Sequence, residues 1–79
     1  MVALKAGWVR GVLVPCGPQN ESYEVGGVLV KDGKLLRLKG VVGRARRQGA
    51  LWFFHCPAHA LDGDCLDDHV GESAEVPIL

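Results

Sequence analysis

No lysine or arginine follows Arg47. All nine basic side chains stand up to that point, opposed only by Glu21, Glu24 and Asp32, while the stretch from Gln48 onward carries six carboxylates. A formal net charge of zero therefore conceals a basic front and an acidic back, the pattern of a chain with two opposed faces or ends. Long apolar runs are missing too. None approaches the roughly 20 uncharged residues that a membrane-spanning helix needs, so no membrane partner is expected. Arg10 interrupts the apolar residues near the N-terminus and no small-residue cleavage site follows, so no signal peptide is read and a cytoplasmic setting is expected. Three cysteines are too few and too odd in number for a disulfide framework, which leaves reduced thiols or metal ligands. Helical blocks rich in Ala, Glu and Lys are absent, and there is no G-x-x-x-x-G-K-[ST] phosphate loop. The acidic run from Asp62 fails as a calcium loop, because its twelfth position is Ser73 where a bidentate Glu is required.

What is present is a chain of 79 residues, 48% hydrophobic and 23% charged, which is too apolar for disorder and too short for a second domain. Eleven glycines, four prolines and many Val and Leu lean toward strands and turns. Trp8 to Val14 reads as a first strand, ended by the turn Pro15-Cys16-Gly17-Pro18 and a loop through Gln19-Asn20-Glu21-Ser22. Tyr23 to Lys31 reads as a second strand with a bulge or a point of close approach at Gly26-Gly27. Asp32-Gly33, flanked by apolar runs, predicts a type I′ hairpin that pairs Lys31 with Lys34 and sets Leu29, Leu36 and Leu38 on one face. Arg44 to Gly49 reads as a basic turn, and Ala50 to His55 as the last strand, with Phe53 and Phe54 in the thin core. The expected fold is mainly β, a small antiparallel meander or partly open barrel of about four strands over residues 1–55. A short turn-helix segment follows over 56–71, with Asp62 as N-cap and Gly71 as stop, and 72–79 is expected to be an extended tail.

Five of the six Cys and His residues fall between His55 and His69. Cys56, His59, Cys65 and His69 form C-x2-H-x5-C-x3-H, and a structural zinc site wants four N or S ligands delivered as short pairs. A turn could present Cys56 and His59, and one helical face could present Cys65 and His69. Cys16 could replace His69 if the first turn folds over the site. The same residues could instead be buried thiols and surface imidazoles. In length the segment resembles a zinc knuckle, though ligand types and inner spacing differ. Cys56-Pro57-Ala58-His59 with Asp62 and Gly71-Glu72 resembles the second half of a Rieske iron-sulfur motif, but that family also needs an upstream C-x-H pair, and no Cys or His lies between Gly17 and Phe54.

The basic front offers Arg37, Lys39, Arg44, Arg46 and Arg47 as phosphate contacts, with aromatic neighbours able to stack on bases. The sequence therefore points to a non-catalytic, zinc-stabilised module that binds nucleic acid or a nucleoprotein complex. A protein-interaction subunit or homo-oligomer that joins opposed basic and acidic faces is the alternative. A small metal enzyme or redox protein is a more remote one, because no third group orients a Cys–His pair.

Overall fold

The computed structural model describes residues 7–18 and 21–78. Gln19 and Asn20 of the expected loop, and Leu79 of the expected tail, lie outside the described residues. Among the described residues eight strands run in chain order: β1 (Trp8–Val12), β2 (Val14–Cys16), β3 (Ser22–Val25), β4 (Val28–Val30), β5 (Leu35–Leu38), β6 (Val41–Gln48), β7 (Leu51–His55) and β8 (Ser73–Pro77). They form a five-stranded sheet in the order β1-β8-β5-β6-β7 and a three-stranded sheet in the order β2-β3-β4. Every pairing among them is antiparallel. The mainly β antiparallel expectation thus holds, with twice the strands and two facing sheets in place of one meander.

Alternation explains the sandwich. Val9, Leu36, Leu38, Ala45, Trp52, Phe54, Ala74 and Val76 occupy one face of the large sheet and meet Tyr23, Val25 and Val30 of the small one. Leu13, wholly buried, sits where the first expected strand breaks in two and the chain changes sheets. Its backbone stays satisfied there: Leu13 N–H donates to Glu72 O at 3.0 Å, and Gly71 N–H donates to Leu13 O at 2.9 Å. The sheets approach so closely at this end that a Cβ on Gly11 would lie 2.6 Å from Gly26 Cα, so glycine is required at position 11.

Several expectations are corrected. Gly26-Gly27 is the true two-residue hairpin turn, with φ of 56° and 87° and Val25 facing Val28, which is the doubly positive geometry of a type I′ turn. Asp32-Gly33 is instead a corner between the sheets. Lys34 N–H does close the turn on Lys31 O at 3.0 Å, but β4 pairs with β3 while β5 pairs with β6 and β8. Only Gly33 of the two has a positive φ, so the hairpin geometry is absent, and Leu29 ends up exposed while Leu36 and Leu38 are buried. Pro15 and Cys16 do not stop the chain; they form β2, an edge strand on which a missing amide is tolerated.

The expected basic turn at Arg44 lies within β6, the longest strand, because Gly43 and Ala45 are small enough to face inward while Arg44 and Arg46 face out. The expected tail is β8, held between β1 and β5. The expected helix is a single 3₁₀ turn, Leu66–His69, with Cys65 rather than Asp62 at its N-cap position. No helix among the described residues is long and apolar enough to cross a membrane.

Candidate binding face

The side of the large sheet turned away from the core carries the charge. Register sets Arg10 opposite Glu75, Glu75 opposite Arg37, and Arg37 opposite Val42. Farther along β6, Arg44 stands between Leu35 and His55, and Arg46 faces Phe53. Four arginines therefore share one open face whose paired strands bring a single carboxylate, Glu75, among the described residues. The four are not equivalent. Arg37 Nη1 lies 3.0 Å from Glu75 Oε1, and its guanidinium stacks 4.0 Å over the Trp8 ring. Arg10 reaches the same carboxylate only at 3.9 Å, with its side chain 75% exposed. Arg44 Nη1 donates to Gly33 O at 2.8 Å. Among the described residues the Arg46 side chain makes no hydrogen bond or ion pair.

Of the five basic residues singled out by sequence, the structure gathers Arg37, Arg44 and Arg46. Lys39 lies instead in the β5–β6 turn, where its charge acts on Glu72. Arg47 belongs to the other side of β6, donating to Gly49 O and standing 6.0 Å from the Trp52 ring. Phe53, expected in the core, is on the outer face and outside the core cluster, since alternation sends Trp52 and Phe54 inward. Arg10 escaped the sequence reading although W-V-R-G-V alternates visibly, with Val9 in and Arg10 out.

Two open concavities adjoin on this face and share Arg46 and His55. One, of about 390 Å³, adds Arg44, Leu35 and Pro57; the other, of about 280 Å³, adds Phe53, Asp62 and Gly63. Asp62 is held in place because its Oδ1 accepts Cys56 N–H at 2.9 Å, and His55 Nδ1 lies 3.5 Å from the same oxygen.

The Cys/His segment is organised around carboxylates. Cys56 is buried, and desolvation, followed by the charges of Asp62 and Asp64, pushes its thiol upward in pKa and so against the thiolate. His59 shares the turn of Cys56 but is exposed, and its Nδ1 accepts Leu61 N–H at 3.0 Å. Cys65 forms a β-bridge with Phe53, and Cys16 lies in the small sheet opposite Ser22. His69, buried, has Nδ1 2.8 Å from Glu72 Oε1 and Nε2 3.0 Å from Asp64 Oδ2.

Two carboxylates on two ring nitrogens favour the doubly protonated imidazolium. The Glu72 hydrogen bond is the main cause of a pKa raised from 6.5, burial opposing it and Asp64 reinforcing it. A metal would need a lone pair on one of those nitrogens. Among the described residues no three His, Cys, Asp or Glu side chains converge as a cation site would require, so Cys56, His59, Cys65 and His69 are not brought together here. On the far side of the 3₁₀ turn, the buried Tyr23 hydroxyl donates to Asp67 Oδ1. No protein family model, curated protein or solved structure matches the chain.

Proposed function

We propose that this chain is a non-catalytic binding module that takes nucleic acid on the outer face of its five-stranded sheet. One observation carries the reading: strand alternation places Arg10, Arg37, Arg44 and Arg46 on one open face, beside an aromatic ring, whose paired strands bring a single carboxylate among the described residues. A surface of guanidinium groups replaces condensed counterions on a phosphate backbone, and their release drives binding. Arg46, whose side chain has no polar partner among the described residues, can turn to a phosphate at no cost to the fold. Burial, which pushes the Cys56 thiol up, speaks against thiolate chemistry at that residue. The C-terminal segment serves as structural support in this reading, tied down by Asp62, Asp64, Asp67 and Glu72 through Cys56, His69 and Tyr23.

The test is fluorescence anisotropy with a labelled oligonucleotide over a salt series. Affinity falls steeply with salt, and Arg44→Ala/Arg46→Ala lowers it about tenfold and flattens the log–log slope by roughly 0.7 to 0.9 for each phosphate no longer neutralised. Both substitutions leave the melting curve nearly unchanged, within about 0.5 kcal/mol. Binding that ignores salt and these arginines, or no binding at low salt, overturns the proposal. An acidic protein surface would engage the same arginines, but it has no bases to stack.

A further inference from the structure

That last distinction can be drawn at the two concavities on the sheet face, because their linings differ in chemistry. The larger one holds Arg44, Arg46 and His55 and no carboxylate among its described residues, which suits a phosphate group. The smaller one holds Phe53 and Asp62 beside the shared Arg46. A phosphate is repelled from Asp62, whereas a nucleobase has a π-face for Phe53 and, where it carries an exocyclic amine, a donor for the carboxylate. Asp62 is already aimed, since Cys56 N–H fixes one of its oxygens and leaves the other without a partner among the described residues. Phe53 is free for stacking because it is half-buried on the outer face and takes no part in the core.

Resting on the nucleic-acid reading above, we infer that the natural ligand is single-stranded. One amino-bearing base seats on Phe53 with its edge toward Asp62, and the adjoining phosphate lies between Arg44 and Arg46. A duplex keeps its base faces stacked inside and offers this face only its backbone, so it cannot use the smaller concavity. The alternation of base and phosphate along a single strand matches the side-by-side order of the two linings.

The probes are oligocytidylate and oligothymidylate of equal length, a duplex of the same length, and heparin as a polyanion without bases. The cytidine strand is tested as both DNA and RNA, and the tighter sugar identifies the natural strand. Phe53→Ala is expected to weaken the cytidine strand about tenfold while leaving heparin and duplex affinity unchanged, and Phe53→Tyr is expected to retain binding. Asp62→Asn, which keeps an oxygen for Cys56 N–H, is expected to erase the preference for cytidine over thymidine. Melting curves and the heparin arm guard against a folding defect. If Phe53→Ala spares the cytidine strand or weakens heparin equally, the base seat is wrong, while salt- and arginine-dependent binding would leave the sheet face standing as a polyanion surface. If none of the four probes binds at low salt, both readings fall.

Discussion

The acidic C-terminal segment and the arginine face of the large sheet carry opposite charge, and they use it in opposite ways. In the segment, carboxylates are matched to internal donors: Asp62 to Cys56 N–H, Asp67 to Tyr23, and Asp64 and Glu72 to His69. On the sheet, Glu75 serves two arginines, Arg44 reaches a carbonyl, and the Arg46 side chain makes no polar contact with the described residues. Charge that fastens a segment and charge left facing solvent should answer differently to mutation, pH and chelation, and each difference can be measured.

The largest effect belongs to the fastened side. His69→Ala leaves Asp64 and Glu72 facing one another without the imidazolium, and is expected to cost about 2 kcal/mol, a fall in Tm on the order of 10 °C for a domain of this size. Oligonucleotide affinity should survive below the new Tm. A variant that melts like the parent would show that the histidine only decorates the turn. A smaller effect is the pH dependence of the unmutated chain. Because the His69 pKa is raised in the fold, its contribution is complete below about 6.5 and is lost as pH climbs through the raised value. Glu72, lowered chiefly by its bond to His69, contributes above about 4.5 and loses that contribution as pH falls through its depressed value. Thermal melts across this range should decline on both sides, and His69→Gln should flatten the alkaline arm. An alkaline loss that persists in His69→Gln would place the sensitivity elsewhere. The smallest expected effect is that of a chelator on freshly purified, reduced protein: an unchanged melting curve. Unfolding on chelation would reinstate the tetrad of Cys56, His59, Cys65 and His69 that the spacing suggested.

The two regions are also unequally legible in the sequence. Strand content and the basic front can be read because Val, Leu and charge are local signals, and Trp8 to Val12 and Leu51 to His55 are rich enough in β-branched or aromatic residues to be found. Pairing cannot be read. Asp32-Gly33 and Gly26-Gly27 offer the same turn chemistry, yet one bends the chain between sheets and the other closes a hairpin. The choice is made by β6, whose Ala45 exchanges hydrogen bonds with Gly33 and Lys34 from a distance in sequence. The length of β6 is hidden because its inward residues, Gly43 and Ala45, carry too little hydrocarbon to mark a buried face. In the Cys/His segment, spacing picks out His69 but not its partners, since Asp64 and Glu72 approach it only through the 3₁₀ turn and the turn at Gly71. The open face is half visible: Arg44 and Arg46 stand out in the sequence, while hydrophobicity alone sends Phe53 inward.

Strand β8 has one further consequence, which concerns order in time. It is the last described strand in the sequence, yet it is the piece that joins β1 to β5. During synthesis, β1 therefore cannot take its place in the large sheet until Ser73 to Pro77 has left the ribosome. Contacts between such distant stretches also slow refolding. The large sheet, and the arginine face it displays, is completed only when this late strand slots into the middle.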